Sequence, residues 1–474
     1  MLNIDDHKSI EKVVRFFEEF SAIPHGSGNT SMIADYLVDF AKKRGLEYLR
    51  DNADNVVIRK GATAGYENRP AIIFQGHLDM VAEKKPGAAI DMEKEGLTLY
   101  RDGDFLRAKD TTLGGDDGVA LAYALAVLDS DSIPHPDFEA VFTSDEEIGL
   151  LGAVALDPKA VKGRLLINID SDGEGVFTVG CAGGMRSDVT LPVQRVDSGT
   201  DAYRLKVSGF KGGHSGVEID KGRVNATKAL VEILSQLTDI CIMDIHGGNA
   251  DNAIPRECEC VFSQKSDNTA LVEKLCEKMK ARYSAIEPDI VTSFEKIESP
   301  LLCVCEEDSA KLVSLLDKLP SGIIAMSGDV EGLVETSLNM GILRLESDRL
   351  EVSFSVRSAK GTEKQKLGDR LEKIAKEHGA DYSTRGEYPA WEYRQDSHLR
   401  DVMKKVYEDM YGKSPEIIII HAGLECGIFS EKIEGLDCVS IGPDNFDIHT
   451  TEERLSLSSL ERVWEFLLNV LKEI

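Results

Sequence analysis

The sequence predicts an α/β fold built on a mostly parallel sheet, interrupted by an inserted α+β segment. Three observations carry this. Short, continuously apolar runs alternate with helical stripes in the first part. Strand-like alternation replaces them from about residue 186. Helix–strand–helix order then returns near the C-terminus. Unbroken apolar runs suit strands buried on both faces, as a parallel sheet requires.

The elements follow in chain order. Residues 9–20 carry an amphipathic stripe, and a second helix pattern over 30–43 stops before Gly45, where helices often end. Apolar runs at 55–58, 71–74, 139–142 and 165–169 read as buried strands, with a helix over 119–128 among them. Strands are expected at 203–207, 257–262 and 350–356, and helices at 223–237, 268–283 and 309–319. The last part reads as helix 398–411, a strand of four isoleucines at 416–420, a short strand at 439–441 and helix 460–471. The expected division is one discontinuous domain, 1–185 with 396–474, and an inserted domain, 186–395. There is no repeat of fixed period and no low-complexity linker.

The chain has 474 residues, enough for two or three domains and a large core. Eighty-three acidic residues against 55 basic ones give a net charge of -28. Such a surface repels phosphate backbones, so nucleic acid is excluded as a partner. No stretch is long and apolar enough to span a membrane, and the N-terminus lacks the basic-then-apolar order of a signal peptide. Nine scattered cysteines without C-x-x-C spacing suit reduced thiols, so a cytoplasmic protein is expected.

Candidate chemistry sits where apolar strands end, the edge at which α/β sheets gather ligands. One strand ends in His77-Leu78-Asp79, where i and i+2 side chains share a direction. Glycines flank Asp116 and Asp117 just before a helix. Capping explains one such aspartate well and two less well. Asp145, Glu146 and Glu147 follow another strand, and three adjacent acids repel unless a cation neutralises them. A fourth strand runs into Asp170, and His449 stands in a late acidic stretch. Each has an ordinary reading as a loop, cap or solvated turn. Together they form the carboxylate and imidazole set that binds zinc, cobalt or manganese.

The ordered set HLD, GGDDG, DEEIG, NID and DIHTTEE resembles the two-zinc metallopeptidases related to aminoacylase and carboxypeptidase G, over almost the whole chain. FSAIPHGSGN, GCAGGMRSD, GGHSG, GGNADNAIPRE, SVRS and HAGLECGIF are similar to one branch, the aminoacyl-histidine (Xaa-His) dipeptidases, which are peptidase D- or carnosinase-like.

The resemblance implies two Zn2+ ions, with Co2+ or Mn2+ as substitutes. Asp116 bridges them; His77 and Asp170 complete one site, Glu147 and His449 the other. Glu146 is implied as general base, Asp79 as the group that orients His77, and Asp116–Asp117 as a cis peptide. In the insert, a lid by the same resemblance, His214 is implied as an oxyanion donor and Asn252 and Arg357 as substrate binders. Gly423 is implied in the loop that receives the substrate's C-terminus. The implied substrate is a small peptide, and a homodimer is left open. A tripeptidase or an N-acyl amino acid deacylase would share this chemistry, and a non-catalytic cation-binding protein would share the ligands alone.

Overall fold

The computed structural model describes residues 2–198, 201–298, 302–328 and 332–474. Contacts divide the chain into two compact units. One comprises Met1–Cys181, Tyr393–Ile419 and Leu424–Ile474; the other comprises Ala182–Glu392 and Ile420–Gly423.

The first unit is built on an eight-stranded sheet. Its order is Glu47–Arg50, Val56–Lys60, Phe138–Thr143, Ile72–His77, Leu165–Asn168, Asp437–Ser440, Val176–Cys181, Glu416–Ile420. The four strands from Phe138–Thr143 to Asp437–Ser440 run parallel, and every residue in them is buried. Antiparallel pairs flank them on both sides. The sheet is therefore parallel where helices cover it and antiparallel toward its margins. The isoleucine strand Glu416–Ile420 is half-buried to exposed, as its place at the end of the order requires.

Gly115–Leu128 is apolar all round and buried almost throughout, which suits a helix with neighbours on every side. It packs against Ile72–His77 and against the helix Glu11–Ser21. The approach is close: a Cβ on Gly118 would stand 2.9 Å from the Phe17 ring. Tyr123 stacks on Trp464 of the C-terminal helix Leu457–Glu473 at 5.5 Å and 13°.

The second unit holds a nine-stranded sheet whose ladders are antiparallel. Four helices, Ala226–Leu234, Thr269–Tyr283, Glu306–Lys318 and Gly361–Glu377, bury their apolar stripes in its core. The last of these and the strands Gly183–Pro192, Val334–Leu345 and Asp381–Tyr388 were not anticipated from the sequence pattern. No helix among the described residues is long and apolar enough to cross a membrane.

Candidate metal centre

In the first unit, His77 ends the strand Ile72–His77, and Glu146 and Glu147 lie in the turn after Phe138–Thr143. Asp170 lies two residues beyond Leu165–Asn168, and Asp116 opens the helix Gly115–Leu128. Parallel strands leave the sheet at a common edge, so these short excursions bring the side chains together. His449 arrives from the loop between Asn445–Phe446 and Arg454–Ser456, where its φ of 62° makes a tight reversal.

The carboxylate of Asp116 faces two imidazoles. Its Oδ1 lies 3.1 Å from His77 Nε2 and its Oδ2 lies 3.1 Å from His449 Nε2. Asp170 Oδ1 is 3.8 Å from the same nitrogen of His77, and Glu147 Oε1 is 2.8 Å from that of His449. Two triads result, His77–Asp116–Asp170 and Asp116–Glu147–His449, each with ligand atoms within 4.8 Å of one another. Glu146 groups with His77 and Glu147 by the same measure. The Asp116–Asp117 peptide is cis.

The donor set suits divalent cations. Asp170 Oδ2 is buried without a hydrogen-bond partner, and buried Glu147 Oε1 has the His449 ring at 2.8 Å. Buried acceptors left this way are costly unless something else satisfies them. The protonation pattern agrees. Burial pushes the Asp170 carboxyl well up, with Asp117, Asp116 and Glu146 adding to it. Burial raises Glu146 to about 8, with help from Glu425, Glu147 and Asp116. Burial opposes charge on His77, but Asp116, Asp79 and Asp170 override it and hold His77 well above the usual imidazole range. Asp116 and Glu147 lift His449 to about 10. Hard carboxylate oxygens and imidazoles at these spacings are the donors that divalent cations favour.

Asp79 behaves differently from the expectation that its side chain orients His77. His77 Nδ1–H donates to the main-chain carbonyl of Asp79, at 2.8 Å, with the carboxylate at 3.6 Å. The carboxylate instead accepts from the Glu146 and Glu147 N–H groups (2.9 and 3.4 Å) and the Ser27 hydroxyl (2.8 Å). It holds the turn that presents the two glutamates.

Several contributors had no distinctive sequence signal. The Asp117 carboxylate is buried and accepts the His77 N–H at 3.1 Å, which explains the second aspartate of the pair. Below the strand ends, the Gln75 amide donates to Glu425 at 2.6 Å, as does the Thr143 hydroxyl, and Gln75 accepts from Asn168 at 2.7 Å. Burial, with Asp116 and Glu453 nearby, raises Asp172 to about 7.

The four expected substrate-binding residues belong to the second unit. His214 lies on a two-residue strand paired with Ala253–Ile254, and its Nδ1 accepts the Gly216 and Val217 N–H groups, both at 3.2 Å. Burial and Arg357 lower its pKa, and a nitrogen that accepts two N–H groups leaves the ring proton on Nε2. His214 and Asn252 border a cavity of about 810 Å³. Arg357 is buried, donates to the Tyr388 hydroxyl at 2.9 Å and keeps Nε without a hydrogen bond. Gly423 packs on Tyr388, where a Cβ would stand 2.8 Å from the ring. His421, the first residue of HAGLECGIF, meets the Ser337 hydroxyl at 2.7 Å. Burial and Arg357 lower it to about 4.

Known proteins share this architecture. A family model described as peptidase family M20/M25/M40 matches residues 73–473. The cytosol non-specific dipeptidase of Escherichia coli (strain K12) is 35% identical over 467 residues, 97% of this chain and 96% of that protein. The solved aminoacylhistidine dipeptidase from Vibrio alginolyticus has a TM-score of 0.92 at 35% identity, covering 98% of this chain and 96% of that one. The aminopeptidase PepT from Bacillus cereus ATCC 10987, at a TM-score of 0.58 and 17% identity over 98% of each chain, shares the fold. The chain therefore belongs to peptidase family M20/M25/M40 and is a metal-dependent hydrolase of peptide bonds.

Proposed function

We propose that this protein hydrolyses dipeptides, Xaa-His dipeptides such as carnosine among them, with a pair of divalent cations, zinc by preference and cobalt or manganese as substitutes. The observation that carries the reading is the divided carboxylate of Asp116, whose two oxygens each face a different histidine at 3.1 Å. His77, Asp116 and Asp170 would hold one cation, and Asp116, Glu147 and His449 the other. The names of the two relatives 35% identical to this chain support the dipeptide class, and the first of them supports a cytoplasmic location.

Bound cations supply Lewis acidity: they polarise the scissile carbonyl and bring the pKa of a water down to about 7. Glu146 takes the proton of that attacking water and delivers it to the departing amine. Asp79 keeps Glu146 in place through the turn N–H groups. His214 donates its Nε2–H to the developing oxyanion, because two main-chain N–H groups occupy its other nitrogen. Arg357 binds the substrate carboxylate, Asn252 its backbone, and the loop at Gly423 admits its C-terminus.

The test pairs elemental analysis with a panel of carnosine, Ala-Ala, a tripeptide and an N-acetyl amino acid, assayed before and after chelation. Two equivalents of metal are expected, with dipeptide hydrolysis lost on chelation and restored by zinc. Preference for the acetylated compound would end the dipeptidase reading, and tight metal without hydrolysis of any peptide would end the enzymatic one.

A further inference from the structure

One buried carboxylate outside the proposed ligand set organises it. Glu453 is 3% exposed. Its Oε2 accepts the Leu113 and Gly114 N–H groups at 2.7 and 3.0 Å, and its Oε1 accepts those of Gly115 and Asp116 at 2.8 and 3.5 Å. Four consecutive main-chain donors therefore converge on one side chain at the start of the helix Gly115–Leu128. Helix starts leave such donors unpaired, and an anion there is favoured by the helix dipole as well. The Asn445 amide approaches the same Oε1 at 3.4 Å, and it packs where a Cβ on Gly115 would stand 2.8 Å from it.

Glu453 is also anchored at its other end. Its own N–H donates to the Thr450 carbonyl at 3.1 Å, one residue beyond His449. One side chain thus joins the loop that presents Asp116 to the loop that presents His449, segments 333 residues apart in sequence.

We propose that Glu453 is a positioning residue: it sets the placement of the Asp116 carboxylate against His449, and so the cation affinity and turnover of the centre. The inference rests on the cation-binding reading above. Glutamine at 453 keeps size and polarity, but one end of its amide is a donor and must face main-chain donors. The loop then shifts, and Asp116 no longer meets both histidines. Losses of this kind for groups behind metal ligands run to about 10–100-fold.

The experiment titrates Mn2+ alone into chelator-treated wild type and Glu453→Gln, and measures dipeptide kcat and KM on the reloaded proteins. The expected result is two sites in the wild type and a roughly 10–100-fold weaker affinity in the variant, with kcat reduced by a similar factor and KM little changed. A purely structural role would lower the melting temperature while leaving affinity and kcat per folded molecule intact, and that outcome overturns the proposal. If the glutamine variant does not fold, Glu453→Asp decides. It keeps the charge but shortens the reach by one methylene, and wild-type affinity and kcat in that variant refute the positioning role. A wild type that binds no pair of Mn2+ ions would instead refute the cation reading itself.

Discussion

Glu425 gives a stability prediction whose size and sign both follow from its surroundings. It is fully buried at the start of the helix Glu425–Lys432. The Gln75 amide and the Thr143 hydroxyl both donate to its Oε2 at 2.6 Å, while its Oε1 has no partner. Burial raises its pKa from an ordinary 4.5 to about 7, with Asp79 adding to the rise and His77 opposing it. The unfolded chain releases this proton near pH 4.5 and the fold releases it near pH 7. The stabilising contribution is therefore complete below the lower value and is lost as pH rises through the upper one. Glutamine in its place can keep both hydrogen bonds to its carbonyl oxygen and does not titrate. The stability difference between Glu425→Gln and wild type should therefore move in the variant's favour by roughly 2–3 kcal/mol between pH 5 and pH 8. The assay is urea unfolding of chelator-treated protein at the two pH values, followed by Trp464 fluorescence in a Trp391→Phe background. Any constant cost of the unpaired amide cancels in the comparison. A difference that stays within about 0.5 kcal/mol across this range would refute the claim that the fold suppresses ionisation of Glu425.

Substitutions at two further positions separate architecture from chemistry. Asp117→Ala leaves the buried His77 N–H without an acceptor and should cost about 1–3 kcal/mol, whereas Asp117→Asn retains an oxygen for it and should cost far less. Thermal unfolding of metal-free protein reads this, and equal losses for the two variants would remove the assigned contact. Glu146→Gln should retain the metal content of the wild type and lower kcat by about 10²–10⁴-fold, the usual contribution of a general base. Near-normal turnover at unchanged metal content would contradict that role.

The centre of the fold was legible because its physics is local. Strands at 71–74, 139–142 and 165–169 read as continuous apolar runs because helices cover both faces, and each run leads into an acid or a histidine at one common edge. The margins were less legible. Val56–Lys60 and Glu416–Ile420 are as rich in β-branched residues as the centre, yet they pair antiparallel or lie at an edge, which depends on partners far along the chain. In the second unit, Gly361–Glu377 carries an ordinary amphipathic stripe that gained its meaning only from the strands it packs against.

The same distinction explains which site residues the sequence betrayed. Asp116, Glu146, Glu147 and Asp170 stand out because they break local rules: acids adjacent to one another, or placed where a buried strand ends, are unfavourable without a compensating charge. The upward-shifted carboxyls of Glu146 and Asp170 show that conflict persisting in the folded chain. Asp117, Asp79 and Glu453 do a different job. Each satisfies main-chain N–H groups, and an amide donor has no residue type to announce it. Asp79 shows the consequence most clearly. The spacing that turned attention to its carboxylate as a partner for His77 was sound, yet its backbone carbonyl makes that contact and frees the side chain to hold the glutamate turn. Groups that would contact a cation are thus visible as local frustration, while the groups that aim them are hidden by being well satisfied. A search for such aiming groups has to begin from buried carboxylates that accept several main-chain hydrogen bonds, and Glu453, with four, is where that search leads in this chain.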